Sequence, residues 1–364
     1  MQARLLARCF AARGHQVVIA GYAVPNAKLV KDTCGSTKIE TVHLPVISFG
    51  RYFRAASFCF SLFRFLISRK DDFDLIICST FKDATIEVAL LKWMGLLNLP
   101  LVVRCEGFGD SGDAHFIKAL PGAKWIISLL NRACNAVNSP SPRIEAELTA
   151  LGLRSVRWSR ILNGVPLPQP RQPVEIPIHA PRSFLFVGRM VPQKGASDLL
   201  RAVGELKDSG LRFRLNLVGD GPLYRRMQRL AMDLAVDDIV SFHGLVDPEQ
   251  VVRHYRTNDF LVLPSRQEAF GMVAAEAMSY GLPVVVTSSG GPEYYVDRRV
   301  GRVCPPGDVA ALAAVLKEMI QMPAKALQDM GSEARKIVRQ RFEIQNIADR
   351  FLDLFLKVVP QKPG

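Results

Sequence analysis

Short apolar runs alternate with longer helical patterns along this chain, and glycines mark the joins. Phe184-Leu185-Phe186-Val187 runs into Gly188, and a helical pattern follows from Ser197 to Leu206. Phe260-Leu261-Val262-Leu263 runs into Pro264, and an Ala- and Met-rich helical pattern follows from Gly271 to Tyr280 before Gly281. Strand-then-helix alternation predicts an α/β fold of parallel sheets with helices on both faces. A chain of 364 residues is long enough for two such domains. The stretch 166–181 holds six prolines, at 166, 168, 170, 173, 177 and 181, and reads as the linker. The expected organisation is a first α/β domain over 1–165, the linker 166–181, a second domain over 182–343, and a last apolar helix within 344–364.

The loops of the second domain carry the chemistry. In Glu268-Ala269-Phe270-Gly271-Met272-Val273-Ala274-Ala275-Glu276, Glu268 falls in a strand-to-helix loop and Glu276 inside the helix. The amides of Phe270, Gly271, Met272 and Val273 fall at the helix start, where unpaired N–H groups bind phosphate. Flanking carboxylates can accept hydrogen bonds from sugar hydroxyls. The plainer account makes Glu268 a cap and Glu276 a solvated helix residue.

Arg189 and Lys194 share the loop after Val187. Guanidinium and ammonium together suit a diphosphate; the plainer account is two solvated loop cations. Leu215-Asn216-Leu217-Val218 enters a tight turn at Gly219-Asp220-Gly221-Pro222. Ile239 to Leu245 is a further short strand, in which His243 reads as structural, with no second metal ligand at a useful spacing.

Taken in order, Gly188-Arg189…Lys194-Gly195, Val218-Gly219-Asp220-Gly221-Pro222, Phe242-His243-Gly244, Leu263-Pro264-Ser265…Glu268-Ala269-Phe270-Gly271…Glu276 and Gly290-Gly291-Pro292-Glu293 resemble the retaining glycosyltransferases of family 4. The resemblance spans roughly residues 182 to 345. A weaker one covers Gly14-His15-Gln16-Val17, Asn138-Ser139-Pro140-Ser141 and Asn163-Gly164-Val165. It implies a GT-B fold, two Rossmann-like domains facing a cleft, with the last helix crossing back to the first. It also implies transfer of a sugar from a nucleotide-diphosphate donor, a UDP- or GDP-sugar, to a saccharide or lipid-linked acceptor, with retention and without metal or cofactor. In that frame Arg189 and Lys194 stabilise the leaving diphosphate, with Gly219 and the amides from Phe270 to Val273 beside it. Glu268 holds the donor sugar, Glu276 the ribose, and the backbone near Leu245 the base. Cell-surface polysaccharide or glycolipid synthesis is the expected setting.

Two departures from the family pattern stand out. Met1 to Phe10 already reads as the helix that precedes Gly14-His15, so the family's first strand and glycine loop are missing ahead of it. The reading favours a start upstream of Met1; the alternative is a non-catalytic sugar-nucleotide-binding protein. Where relatives carry His-Gly, this chain has Glu106-Gly107. Glu106 is therefore a candidate contact to donor sugar or acceptor, or else a strand-end carboxylate paired with Arg104.

The net charge is +13, with 49% hydrophobic and 22% charged residues. Solvated helix faces account for much of that charge, and no nucleic-acid recognition module is legible. The segment from Phe49 to Lys70 interleaves phenylalanine with arginine. It reads either as a helix lying on a membrane surface or as one packing Phe53, Phe60 and Phe63 against the sheet. No secretory signal and no run of eighteen apolar residues is present, so a cytoplasmic or peripheral location is expected. The seven cysteines form no Cys-x-x-Cys pair and read as small buried hydrophobes. Gly107-Phe108-Gly109-Asp110-Ser111-Gly112 fits a dinucleotide pattern but lacks the acidic residue about 20 positions on. Asp72-Phe73-Asp74 fits a metal-binding D-x-D but reads as a polar turn before a strand.

Overall fold

The computed structural model describes residues 2–22, 39–47, 50–169 and 181–360. The chain divides into two compact units, Met1–Gly164 with Ile344–Gly364, and Val165–Glu343. Most of the proline-rich stretch, 170–180, lies outside the described residues.

The first unit runs α1 (Gln2–Ala12), β1 (Val17–Tyr22), β2 (Ile39–Leu44), α2 (Gly50–Arg69), β3 (Ile76–Ser79), α3 (Asp83–Trp93) and β4 (Leu101–Arg104). It continues with α4 (Asp113–Lys118), α5 (Ala123–Ala133), β5 (Ala136–Asn138), α6 (Pro142–Ala150) and β6 (Arg157–Ser159). Every pairing is parallel, but the strands form two sheets: β1 with β2, and β3-β4-β5-β6. Val102 and Val103 of β4 are fully buried between helical layers, as apolar runs in parallel sheets are.

The second unit runs β7 (Arg182–Val187), α7 (Ala196–Leu206), β8 (Phe213–Val218), α8 (Tyr224–Asp233), β9 (Val240–Gly244), α9 (Pro248–Thr257) and β10 (Phe260–Leu263). Then come α10 (Met272–Ser279), β11 (Val284–Thr287), β12 (Gly301–Cys304), α11 (Val309–Gln321) and α12 (Ala324–Arg341). Its six parallel strands are ordered β12-β11-β10-β7-β8-β9. Phe184 of β7 stacks on Phe260 of β10 at 5.1 Å between centroids. The chain builds outward from β7 through β8 to β9, then returns to lay β10 on the other side of β7. The strand order therefore reverses between β7 and β10.

The last helix, α13 (Ile344–Leu356), belongs to the first unit. It packs Ile347, Phe351 and Phe355 with Leu6 and Phe10 of α1 in one apolar cluster. Arg13 ties the two helices from outside, 2.7 Å from Asp349.

Helix α2 departs from the sequence expectation of phenylalanines packed on the sheet. Leu62 and Leu66 are its buried residues, whereas Phe53 and Phe60 are each 62% exposed. The inward stripe takes the leucines, and a helix cannot turn both sets of residues to one face. Among the described residues no helix is long and apolar enough to cross a membrane.

Candidate functional site

In an open parallel sheet, the loops leaving adjacent strands in opposite directions open a crevice where the strand order reverses. In the second unit this point lies between β7 and β10, and the loops there run from Gly188 to Gly195 and from Pro264 to Gly271. Lys194 comes from the first loop and Glu268 from the second. Their side chains meet as a 2.5 Å ion pair. Ser265 Oγ donates to the same Glu268 oxygen at 3.4 Å. The two residues expected to serve diphosphate and sugar are thus joined directly.

The loops are fastened at several points. The Arg266 amide donates to the Gln193 carbonyl at 2.8 Å, and the Glu268 amide to that of Ser289 at 3.2 Å. The Arg266 guanidinium grips both oxygens of the buried Asp198 carboxylate at 2.9 and 2.8 Å. That tether between the loop after β10 and α7 was not foreseen from sequence, where Asp198 is one acidic residue in a helical pattern. Gly195 has φ +68, and a Cβ there would lie 2.0 Å from the Pro264 carbonyl oxygen. Only glycine lets the two loops approach so closely.

Gly219 sits in the turn after β8 with φ +131, and a Cβ there would strike the Gly188 carbonyl oxygen. The turn is locked under the Arg189 loop by the Met190 amide, which donates to the Asp220 carbonyl at 2.9 Å. Arg189 itself is exposed, with no hydrogen bond or ion pair to its side chain among the described residues. It is the loop's uncommitted cation.

Gly271, in the left-handed region, precedes Met272 and Val273 in the first turn of α10. Phe270 is buried beside Tyr295, whose hydroxyl donates to the Phe270 carbonyl at 2.7 Å. Carbonyls of the loop are thereby occupied on the inner side, while first-turn amides of a helix have no partner within it. Glu276, one turn further, accepts a 3.0 Å hydrogen bond from the buried Tyr255 hydroxyl of α9. Burial raises the Glu276 pKa, and the bond from Tyr255 opposes the rise. Tyr255 is a second partner that sequence spacing did not reveal. Leu245, just past β9, is 84% exposed. His243 lies against His254, ring centroids 4.5 Å apart, and contacts Asn216 at 2.9 Å.

In the first unit, Glu106 pairs with Arg104 at 2.9 Å, the plainer of its two expected settings. Arg104 is almost wholly buried and Glu106 only half so. Behind them the buried Asp113 carboxylate accepts from the amides of Phe81 at 2.8 Å and Glu106 at 3.2 Å. The glycine run 107–112 ends at the six-residue helix α4, which begins at Asp113 with no side-chain cap. Asp72 of the D-x-D sequence accepts from Arg69 at 2.8 Å.

Comparison with known proteins gives the family and the fold. The family model described as Glycosyl transferases group 1 matches residues 169–337, and the one described as Glycosyl transferase 4-like domain matches residues 1–164. The D-inositol 3-phosphate glycosyltransferase of Saccharomonospora viridis is 32% identical over 244 residues, 64% of this chain and 53% of that protein. The glycogen synthase of Mycobacterium tuberculosis is 28% identical over 257 residues, 66% of this chain and 61% of that protein. These matches thus span little more than half the length of those relatives. Among solved structures, sucrose-phosphate synthase from Thermosynechococcus elongatus gives a TM-score of 0.78 at 22% identity, covering 98% of this chain and 92% of that one. Anabaena HepE, solved with UDP and glucose, gives 0.77 at 18% identity, covering 98% and 95%. Likeness at such identities speaks for the fold, that of the GT-B glycosyltransferases. One family model covers the unit that holds the Lys194–Glu268 pair and the other covers the unit before it, so this chain belongs to the group 1, family-4 type of glycosyltransferases.

Proposed function

We propose that this protein transfers a sugar from a nucleotide-diphosphate donor to a hydroxyl acceptor, with retention at the anomeric carbon. The observation that carries the reading is the Lys194–Glu268 pair at the point where the strand order reverses, beside the start of α10. A cation there meets the donor's phosphates while a carboxylate meets its sugar hydroxyls. HepE, solved with UDP-glucose, and a GDP-mannose-dependent mannosyltransferase of Mycolicibacterium smegmatis support a donor of UDP- or GDP-sugar type.

In the reaction, the bond between the anomeric carbon and the diphosphate oxygen breaks, and the acceptor oxygen bonds to that carbon. The acceptor proton passes to the departing phosphate. Charge grows on the diphosphate, and Arg189, Lys194 and the amides from Phe270 to Val273 offset it, Lys194 and the amides being held in place before the reaction begins. Lys194 also orients Glu268, which binds sugar hydroxyls. Gly219 lets the backbone approach the phosphates closely. Glu276 takes the ribose hydroxyls, exchanging part of its bond with Tyr255, and the backbone at Leu245 meets the base. Glu106, held by Arg104, is the first unit's carboxylate for donor sugar or acceptor.

Fixed cations make a metal unnecessary in this scheme. Helix α2 carries no acidic residue, and its exposed Phe53, Arg54, Phe60 and Arg64 suit an anionic membrane surface and a lipid-linked acceptor. The setting that follows is polysaccharide or glycolipid synthesis on the inner face of a membrane.

The test is a panel of UDP- and GDP-sugars, with saccharide and lipid-linked acceptors, assayed with and without EDTA. Transfer that persists in EDTA, with retained anomeric configuration, is expected. Donor binding without transfer or hydrolysis across the panel overturns the catalytic reading. Loss in EDTA that a divalent ion restores overturns the metal-free scheme.

A further inference from the structure

The backbone between β10 and α10 is moulded by one segment, residues 288–295, which follows β11. Near its start the Ser289 carbonyl accepts from the Glu268 amide at 3.2 Å. In its middle Gly291 lies so close to the next peptide that a Cβ there would strike the Ala269 carbonyl. At its end the Tyr295 hydroxyl lies 2.7 Å from the Phe270 carbonyl oxygen and 3.1 Å from that of Gly271. The segment thus touches residues 268, 269, 270 and 271 in turn.

The last of these contacts bears on the amides that face the donor. The Phe270–Gly271 peptide lies ahead of α10, outside its ladder of hydrogen bonds. Gly271 has φ +79, and glycine takes either sign of φ readily, so the local chain permits this peptide to flip. In a planar trans peptide the C=O and the following N–H point in opposite directions. With the Phe270 carbonyl turned toward Tyr295, the Gly271 N–H points away from it. That amide makes no hydrogen bond among the described residues. A flip would exchange the two groups and offer a phosphate a carbonyl oxygen, which repels it.

Tyr295 is placed to prevent the flip. Its buried ring lies 5.4 Å from that of Phe270 and 5.0 Å from that of the buried Phe342, between centroids. Phe342 also packs on Phe270 at 5.6 Å, so each ring of the three braces the other two. Burial, with the carboxylates of Glu268 and Glu293 nearby, pushes the phenol pKa well above its usual value, and the hydroxyl stays a donor.

We propose that Tyr295 is a positioning residue for phosphate binding: it holds the Phe270 carbonyl inward and thereby aims the Gly271 N–H at the donor's diphosphate. Tyr295 acts through that peptide and touches no ligand itself. This inference rests on the nucleotide-diphosphate reading above.

The test compares Tyr295→Phe with the parent, using calorimetry with UDP and GDP and competition by uridine and guanosine, which carry no phosphate. The ring remains, so its packing with Phe270 and Phe342 is kept. Tyr295→Phe should weaken the nucleoside diphosphate about tenfold, the scale of one charged hydrogen bond, and leave the nucleoside within about twofold. It should lower kcat as well, because charge on the phosphate grows toward the transition state. Tyr255→Phe gives the contrast: it acts on the ribose through Glu276, so nucleoside and diphosphate should weaken by the same factor. An unchanged diphosphate affinity in Tyr295→Phe, or an equal loss for diphosphate and nucleoside, overturns the role of Tyr295 and leaves the donor reading standing. A parent that binds neither UDP nor GDP overturns that reading, and this inference with it.

Discussion

The ammonium of Lys194 and the carboxylate of Glu268 face each other at 2.5 Å across the loops that follow β7 and β10. A diphosphate arriving at this loop competes with the carboxylate for one cation, and a sugar competes with the cation for one carboxylate. The two residues therefore act as a unit. Lys194→Ala and Glu268→Gln should each lower kcat/KM about 10²- to 10³-fold, the scale for removing one preorganised stabiliser. The double variant should lose much less than the product of the two, since residues in contact do not add. Strict additivity in a double-mutant cycle would show that they serve separate steps.

Arg189 shares that loop with no side-chain partner among the described residues, so its charge is available to a ligand. Arg189→Ala should cost a comparable factor in kcat while leaving the melting temperature within about 1 °C of the parent, as surface changes away from packed features do. A large fall in Tm with unchanged kcat would make it a structural residue instead.

Much of this was legible in the sequence because it rests on local pattern. The apolar runs from Phe184 and Phe260 gave strands, the Gly271-to-Tyr280 pattern gave a helix, and the loops between them held Lys194, Glu268 and Arg189. What the pattern could not carry is who meets whom across the sheet. Asp198 and Arg266 lie 68 positions apart, and Tyr255 and Glu276 lie 21 apart on different helices. Such pairs follow from strand order, which no short-range signal encodes. The two readings left open for α2 have a similar cause: phenylalanine and leucine are both apolar, so spacing alone does not say which stripe faces inward.

Backbone geometry offers a cleaner test of the loop crossing. Gly195 and Gly122 have similar positive φ, +68 and +76, but only at Gly195 would a Cβ strike another backbone. Gly122→Ala should cost about 1–2 kcal/mol, the left-handed penalty for a residue with a Cβ. Gly195→Ala should cost clearly more in denaturant unfolding and should also impair nucleotide binding, because Pro264 must move and carries the Glu268 loop with it. Equal costs at the two sites would mean the loops yield freely.

Glu87 of α3 supplies a pH signature independent of the site. Its Oε2 is buried with no hydrogen-bond partner among the described residues, and burial pushes its pKa up from 4.5 to about 7, with bonds from Cys59 and the Phe63 backbone opposing the shift. Between those values the folded protein keeps a proton that the unfolded chain has released, so stability falls as pH rises through the window and levels off above it. Glu87→Gln should flatten the part of the Tm decline between pH 5 and pH 8 that belongs to this group, and should melt higher than the parent at pH 8. Parallel Tm profiles for the two proteins would exclude Glu87 as the source.

Glu276 and Glu268 are separable by what each touches. A carboxylate on ribose binds ground state and transition state alike, whereas one on the transferring sugar can act more strongly in the transition state. Glu276→Gln should therefore weaken binding of the nucleoside diphosphate alone, by about tenfold for a lost charged hydrogen bond of about 1.5 kcal/mol. Glu268→Gln should leave that affinity nearly unchanged and lower turnover. Tyr255→Phe adds a control: it removes the hydroxyl that holds Glu276 Oε2 at 3.0 Å but no group offered to the nucleotide. Its effect should be smaller than that of Glu276→Gln and in the same direction, through lost positioning. Calorimetry with UDP and GDP on all three variants reads the difference, and an unchanged affinity in Glu276→Gln would remove this residue from the ribose.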